Sequence, residues 1–315
     1  MHFSRACVIM FYNKDKNEKT GGAHVKKIGW LVVNAFLGAE KYQMLYQMLL
    51  SAARAQEIEL LLKPADGLVC AFGEEAEVFA PLPDFVLFWD KDVGLARRFE
   101  RLGVPVFNTA RAIELCDDKR LTGEILNAHG VKIPKTIPAP KTFENVGYSK
   151  TDFLDCAERA LGYPMVIKEA YGSFGAQVYL ARNRAEALKI VDKIGHKEFL
   201  MQEFIAESAG RDIRVNIVDG RVVCAMLRYN ETDFRSNVTN GGKTQKIVLD
   251  KAQEQIALAA CKALGLHFAG VDVLFGAGGE PLVCEVNSNP HFKSSLDCTG
   301  VDLAEHILRL IAERI

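Results

Sequence analysis

Short apolar runs alternate with amphipathic stretches over the first third of the chain. Runs rich in Val, Leu, Phe and Trp predict buried strands, whereas apolar residues at helical spacing, such as Tyr42, Leu45 and Leu49, predict helices. The pattern predicts strands at 28–34, 58–62, 85–89 and 104–107, and helices around 42–50 and 92–102. Because strands that alternate with helices form parallel sheets with right-handed crossovers, we expect an α/β domain over residues 25–110.

The rest of the chain has a different order of elements, in which strands also follow one another directly. The pattern predicts helices at 109–130, 151–161, 184–194, 251–264 and 301–313, strands at 165–168, 178–180, 199–205, 213–218 and 221–228, and a polar loop at 229–246. This order predicts two α+β subdomains, at 111–200 and 201–315. Residues 1–24 change from a short apolar patch to a polar stretch, and we expect a disordered extension or leader there.

A predicted hairpin near residue 280 carries clustered oxygen ligands. Its Gly-rich centre has the composition of a turn. If Phe275 faces Leu282 across that turn, the antiparallel register places Asp272 opposite Glu285, and Asn287 shares the strand face of Glu285. Two facing carboxylates repel each other unless a partner offsets the repulsion, and a divalent cation would do so. Mg²⁺ prefers such oxygen ligands beside substrate phosphates. The alternative is an acidic strand end that is exposed to water.

Other segments carry candidate chemistry with an ordinary alternative for each. Lys168 ends a strand before a Gly-punctuated loop, which is either a phosphate-binding loop or a plain hairpin connection. Arg214, Arg228 and Arg235 are guanidinium groups of the kind that carboxylate and phosphoryl recognition require. Simple hairpin register places Arg214 and Arg228 on opposite faces, so both can serve one site only if a bulge or twist intervenes. His291 follows the ligand strand and either touches substrate or is solvated.

Composition excludes several function classes. The 315 residues are 49% hydrophobic and 25% charged, which is typical of a globular protein, and the net charge of −1 offers no footprint for nucleic acid or a membrane surface. Eight cysteines occur without a Cys-x-x-Cys pair, which indicates reduced thiols in a cytoplasmic protein. No stretch approaches the roughly 18 apolar residues of a spanning helix. The sequence does not decide whether the protein forms a homo-oligomer.

A set of motifs occurs in a characteristic order. In chain order they are Lys168 with its Gly loop, Gln202-Glu203-Phe204-Ile205, Arg211-Asp212-Ile213-Arg214, Asp233-Phe234-Arg235-Ser236-Asn237, Gly241-Gly242, Gly270-Val271-Asp272 and Glu285-Val286-Asn287. The ordered set resembles the ATP-grasp superfamily of ligases and, more narrowly, its RimK-type branch, which joins glutamate or related amino acids to an acceptor carboxylate. The resemblance covers about 25–315 and implies the ATP-grasp fold, in which two α+β subdomains clamp ATP behind an N-terminal parallel-sheet domain.

The resemblance also implies roles for individual residues. The nucleotide site would consist of Lys119, Lys168, Gln202, Glu203, Phe204, Ile205, Asp212, Arg235, Ser236 and Asn237. Within it, Lys119 and Lys168 would contact phosphates, backbone groups of 203–205 would hold adenine, and Asp212 would accept from the ribose. Arg235 would stabilise the transferring phosphoryl group. The metal ligands, for two Mg²⁺ or Mn²⁺ ions, would be Asp272, Glu285 and Asn287, and the substrate contacts would be Arg214, Arg228 and His291.

The implied reaction is ATP-dependent and forms an amide bond through an acyl phosphate, with ADP released. Its partners would be ATP, an amino acid and a carboxylate-bearing acceptor. The loop Asn289–Ser295 departs from the small-residue loop of typical RimK members, so the sequence leaves the amino acid and the acceptor open. Two alternatives also stay open: a catalytically silent ATP-binding regulator, and a ligase of D-amino-acid or cell-wall precursors.

Overall fold

A computed structural model of the protein describes residues 26–172, 175–238 and 241–315. The extension expected at 1–24 lies outside these residues. The strands are β1 Ile28–Val33, β2 Glu59–Pro64, β3 Phe85–Trp89, β4 Val106–Phe107, β5 Thr136–Pro138, β6 Met165–Glu169, β7 Val178–Ala181, β8 Phe199–Glu203, β9 Arg211–Val218, β10 Arg221–Tyr229, β11 Lys243–Lys246, β12 Phe268–Phe275 and β13 Pro281–Asn287.

The helices are α1 Glu40–Ala55, α2 Glu75–Val78, α3 Val93–Arg101, α4 Ala110–Asp117, α5 Lys119–Ala128, α6 Phe153–Leu161, α7 Arg184–Ile194, α8 Lys251–Ala263, α9 Lys293–Thr299 and α10 Leu303–Arg314. These elements form three sheets. One is parallel and the other two are antiparallel.

The first sheet has the order β2-β1-β3-β4 and is parallel throughout, as the alternating pattern predicted. Strand β3 is buried along its whole length because helices cover both faces of the sheet. On one face, Leu45 and Leu49 of α1 pack with Ile307 and Ile311 of α10, so the last helix of the chain completes the core of the first sheet.

The second sheet has the order β5-β8-β6-β7, with α6 and α7 packed against it. Strand β8 extends beyond residue 200, so the sheet crosses the boundary that we expected between the two α+β subdomains. The third sheet has the order β11-β10-β9-β12-β13. Helix α8 packs on it, and so do Ala112 and Cys116 of α4 and Leu126 of α5, because their apolar faces share one core with Val215 and Val271.

The sequence pattern was wrong at three places. The helix expected at 109–130 is two helices, because Asp118 has an extended backbone and its side chain accepts from the Arg120 N–H at 2.8 Å, which caps a new helix. The loop expected at 229–246 ends in β11, which pairs with β10. The loop after Pro290 continues into α9, where Ser295 is fully buried.

Asn108 joins the first sheet to the third. It follows β4 and is fully buried. Its amide nitrogen donates to the carbonyls of Phe268 and Ser288 at 2.9 Å, and its side-chain oxygen accepts from the backbone N–H of His267 at 2.7 Å. One side chain therefore holds the end of the first sheet against the two strands that carry the predicted metal ligands.

Candidate functional site

The predicted pair of facing carboxylates is present. Asp272 on β12 pairs with Glu285 on β13, but Phe275 faces Pro281 rather than Leu282. A bulge separates the pair Asp272–Glu285 from the pair Val273–Val283, and Cys284 is the extra residue. The bulge shifts the register by one residue, so that Asp272 and Glu285 pair despite the different pairing at the turn. The predicted pairing of the carboxylates is therefore confirmed, whereas the predicted pairing at the turn was wrong by one residue.

A second bulge brings two arginines to one face of the third sheet. The β9–β10 register shifts between Val222 and Cys224, and beyond the shift Arg228 pairs with Asp212. Since Arg214 lies two residues from Asp212 on β9, it shares that face. The bulge that Arg214 and Arg228 require in order to serve one site is therefore present.

Arg214, Arg228, Asp212 and Asp272 form a buried ion-pair cluster. Arg214 donates to both oxygens of Asp272, and its Nη2 lies 3.0 Å from Oδ2. Arg228 donates to Asp212 at 2.7 and 2.5 Å and lies 3.0 Å from Asp272. Burial raises the pKa of Asp272, but the two guanidinium groups outweigh burial and hold that pKa below its ordinary value. The Asp272 carboxylate is therefore ionised.

The absence of a side chain at Gly270 leaves room for this cluster. A Cβ at Gly270 would lie 2.9 Å from the Pro290 Cβ and 3.1 Å from the Arg214 Nη1. Gly270 pairs with Asn216 on one side and with Asn287 on the other. A larger residue would displace Arg214 from its position beside Asp272.

The two predicted phosphate lysines both contact strand β13, Lys119 at Glu285 and Lys168 at Cys284. Lys119 is the first residue of α5, and its Nζ lies 3.0 Å from the Gly172 carbonyl and 3.5 Å from Glu285. Lys168 is buried on β6, and its Nζ donates to Gln202 Oε1 at 2.7 Å and contacts Cys284 Sγ at 3.3 Å. The bulge at Cys284 places this thiol beside Lys168, a contact that strict alternation along a strand does not predict.

One cavity contains the whole predicted nucleotide set. It lies between the second and third sheets and is lined, among others, by Lys119, Lys168, Gln202, Glu203, Phe204, Ile205, Asp212, Arg235, Ser236, Asn237, Asp272 and Glu285. Arg235 is held by Asp233 and by the Gly175 carbonyl at 2.8 Å. Asp212 reaches this cavity as the partner of Arg228, so its carboxylate oxygens already accept hydrogen bonds.

A second cavity adjoins the first and opens between the first and third sheets. Its lining includes Lys91, Asp117, Lys119, Arg214, Arg228, Glu285, Asn287, Asn289, His291 and Ser294. Asn289 donates to the Asp90 carbonyl at 3.0 Å, which attaches the loop after β13 to the end of β3. Burial lowers the pKa of His291, so its ring is neutral at pH 7. The predicted substrate residues thus share the second cavity.

The donor atoms of Asp272, Glu285 and Asn287 fit a hard divalent cation. All three lie on one sheet face, and Asn287 uses its amide nitrogen to donate to the Gly270 carbonyl at 3.4 Å, which leaves its side-chain oxygen as a donor atom for a metal. Each carboxylate oxygen has two lone pairs, so Asp272 keeps capacity beside its arginines. Among the described residues no cluster of three or more His, Cys, Asp or Glu side chains is arranged to hold a metal. The predicted set differs from such a cluster, because it has two carboxylates and one amide.

Several residues that line the two cavities were not predicted from the sequence. Cys284 gave no signal, because a bulge is not visible in a periodic pattern. Lys91 lies two residues after the end of a predicted parallel strand, and the carboxyl ends of such strands are common ligand sites, so this signal was available. Arg211 also lines the first cavity, although its place in the motif Arg211–Arg214 predicted no contact of its own.

Solved structures identify the fold class. The structure superimposes on D-alanine–D-alanine ligase from Bacillus anthracis with a TM-score of 0.70 at 18% identity, covering 91% of this chain and 96% of that one. It superimposes on a RimK domain ATP-grasp protein from Sphaerobacter thermophilus with a TM-score of 0.68 at 22% identity, covering 90% and 98%. The fold is therefore the predicted ATP-grasp fold.

Sequence relatives narrow the class. Residues 116–311 match the RimK-like ATP-grasp domain. The chain is 37% identical over 224 residues to a probable alpha-L-glutamate ligase of Rhodopirellula baltica, covering 70% of this chain and 53% of that protein. It is 33% identical over 286 residues to beta-citrylglutamate synthase B of Danio rerio, covering 87% and 67%. The human N-acetylaspartylglutamate synthase A is 35% identical over 235 residues, covering 71% and 58%.

The chain belongs to the RimK-like ATP-grasp family, which confirms the family resemblance. It spans about half the length of the Rhodopirellula baltica relative. The names of these relatives are those of ligases and synthases, in agreement with the expected class of enzyme. No helix within 26–172, 175–238 and 241–315 is long and apolar enough to cross a membrane.

Proposed function

We propose that the protein is an ATP-dependent, ADP-forming carboxylate–amine ligase that adds glutamate or a related amino acid to a small carboxylate acceptor. The observation that carries the proposal is the pairing of Glu285 with Asp272 in one cavity with Lys119 and Lys168. Opposed carboxylates beside two lysines suit a metal-bound triphosphate. The names of the relatives in Danio rerio and human, which are synthases of glutamate conjugates, support the amino acid.

ATP would lie between the second and third sheets. Lys119 and Lys168 would bind its phosphates, backbone groups of Glu203 and Ile205 would meet the adenine, and Arg235 would approach the γ-phosphoryl group. In the expected division into 25–110, 111–200 and 201–315, the last two subdomains would close on the nucleotide, with β8 crossing the boundary between them. Unpaired thiols at the described cysteines support the cytoplasm as the location.

Asp272, Glu285 and Asn287 would together hold two Mg²⁺ or Mn²⁺ ions. A bound divalent ion supplies neutralising charge to the phosphoryl oxygens of ATP. Arg214 and Arg228 keep Asp272 ionised, so its carboxylate is ready to act as a ligand. The two arginines would then bind the substrate chiefly through the N–H groups that do not donate to Asp212 or Asp272.

The reaction would proceed in two displacements. A carboxylate oxygen of the acceptor attacks the γ-phosphorus of ATP, the bond to the β–γ bridging oxygen breaks, and ADP leaves. The amine of the amino acid then attacks the acyl carbon, loses a proton, and displaces inorganic phosphate. Lys119, Lys168 and Arg235 would stabilise the charge on the moving phosphoryl group, and the enclosed cavity would protect the acyl phosphate from water.

A turnover assay tests the proposal. Purified full-length protein is incubated with ATP, Mg²⁺ and a matrix of amino acids and carboxylate acceptors that includes L-glutamate, citrate and N-acetyl-L-aspartate. ADP, phosphate and the mass of the product are measured. We expect one or more pairs to release ADP and phosphate in equal amounts together with an amide. No release across the matrix would refute the ligase and favour the silent regulator.

Glu285→Gln tests the proposed metal site, because it removes one of the two facing carboxylates. Glu280→Gln is its control. Both residues lie on the same hairpin, but Glu280 is in an exposed pair with Lys132. We expect Glu285→Gln to lower kcat at least about 100-fold, which corresponds to roughly 2.7 kcal/mol of transition-state stabilisation. Glu280→Gln should keep wild-type turnover.

The turnover assay also tests the alternative function. A dipeptide of D-amino acids as the only product would support the cell-wall precursor ligase instead.

A further inference from the structure

Among the described residues, four cationic side chains line the second cavity, and three of them contact carboxylates. Arg214 binds Asp272 through two donors, Arg228 binds Asp212 and Asp272, and Lys119 contacts Glu285. Asp272 is almost fully buried, so it cannot exchange its arginines for water without a large desolvation cost. The two arginines therefore cannot give their full charge to a substrate, and Lys119 would already bind the phosphates of ATP.

Lys91 is the fourth cation, and its ion pair is of a different kind. Its Nζ contacts Asp117, the last residue of α4, and the side chains of Lys91 and Asp117 are 44% and 21% exposed. Because both ends of this pair remain in contact with water, the pair is weak and either partner can be rehydrated. An anion that enters the cavity can take Lys91 from Asp117 at little cost.

The backbone of Lys91 is held firmly although its side chain can exchange partners. Lys91 lies two residues after the end of β3, and its N–H donates to Asp90 Oδ1 at 2.6 Å. The Asp90 carbonyl accepts from Asn289 at 3.0 Å. The first sheet and the loop after β13 thus fix the backbone at Lys91, whose long cationic side chain reaches the cavity from the wall opposite the third sheet.

We propose that Lys91 is a specificity residue that binds a second carboxylate of the acceptor, the one that is not activated. The acceptor would then be a compact di- or tricarboxylate, with one carboxylate at the phosphoryl group and another on Lys91. The unused Arg214 donors at Nη1 would help to orient the acceptor between them. This inference rests on the proposed ligase function, because it assigns a role within that acceptor site.

Binding is measured by calorimetry with Mg²⁺ and the non-hydrolysable analogue AMP-PNP present, so that turnover is not required. The probes are N-acetyl-L-aspartate and N-acetyl-L-alanine, which differ by one carboxylate. Wild-type protein should bind the dicarboxylate about tenfold more tightly, and Lys91→Met should abolish that preference while leaving the affinity for N-acetyl-L-alanine unchanged. Lys91→Arg should retain most of the preference, and Asp117→Asn should increase it about threefold, since Lys91 loses its competing partner.

Arg97→Met is the matched control. Arg97 pairs with Glu114 and so joins α3 to α4, in a similar place and with similar exposure to the Lys91 pair, but it lines neither cavity. It should keep the wild-type preference. Equal affinity of wild-type protein for both probes, equal loss of both in Lys91→Met, or the same loss in Arg97→Met would overturn the proposal. Failure of the ligase itself would appear separately, as absence of ADP release in the turnover assay.

Discussion

Arg214 on β9 stands directly opposite Asp272 on β12, and its Nη2 donates to Asp272 Oδ2 at 3.0 Å. With Arg228 and Asp212, the pair forms a cluster of two cations and two anions that lines both cavities. Such a cluster is balanced only while all four charges are present. Removing one charge leaves another buried without compensation.

A double-mutant cycle on Arg214 and Asp272 tests this balance. We expect Arg214→Met and Asp272→Asn each to lower the free energy of unfolding by about 3 kcal/mol, and the double variant to lose markedly less than the sum. Urea unfolding measures the three values. The same cycle on Lys132 and Glu280, an exposed pair, should give a coupling of about 0.5 kcal/mol or less. If the double variant lost the full sum of the two single losses in free energy of unfolding, Arg214 and Asp272 would not be coupled as the cluster requires.

Gly242→Ala should impair ATP binding without unfolding the protein. A Cβ at Gly242 would lie 2.2 Å from the Ser236 carbonyl and 2.9 Å from the Asn237 carbonyl, both of them backbone atoms. The backbone at 236–237 must therefore move, and it lines the first cavity. We expect the Kd for ATP, measured by calorimetry, to rise about tenfold or more. Gly67→Ala, which meets nothing within 4 Å, is the control and should bind ATP normally.

Asn108→Ala should destabilise the contact between the first and third sheets. The substitution leaves the carbonyls of Phe268 and Ser288 and the N–H of His267 without their partner. We expect a loss of about 3 kcal/mol in the free energy of unfolding, because each buried unsatisfied group costs about 1 to 3 kcal/mol. Asn127→Ala, at an exposed helical position, should change stability by less than about 0.5 kcal/mol. Equal effects of the two substitutions would rule out the joining role.

His267 makes stability depend on pH. Burial, with a smaller contribution from Arg314, lowers the pKa of His267 from 6.5 to about 4. Between these values the unfolded chain binds a proton that the folded protein does not, so stability is complete above pH 6.5 and decreases as the pH falls towards 4. We expect a decrease of about 2 kcal/mol, allowing for partial exposure of the ring.

The measurement is urea unfolding at several pH values for wild-type protein, His267→Gln and His129→Gln. The slope between pH 6.5 and about 4 should become smaller in His267→Gln and should persist in His129→Gln, whose ring is exposed. An unchanged slope in His267→Gln would show that other groups produce the acid sensitivity.

The sequence by itself determined the elements whose signals are local. Alternation of strands and helices predicted the parallel first sheet, and the hairpin composition near residue 280 predicted the two strands that carry Asp272 and Glu285, although their pairing also depends on the bulge at Cys284. Ordered motifs predicted the family and the fold. These features depend on neighbouring residues, or on backbone periodicity, so they are visible before the chain is folded.

Only the tertiary structure decided how these parts combine into a site. The bulges at Val223 and Cys284 change which face a side chain occupies, and a periodic pattern contains no signal for an extra residue. Asp272 meets Arg214 across 58 positions of sequence, and Lys91 enters the second cavity from a different sheet. Because burial and charge at these residues depend on which distant elements pack together, the state of the Asp272 carboxylate and the availability of Lys91 follow from the fold and not from the order of residues.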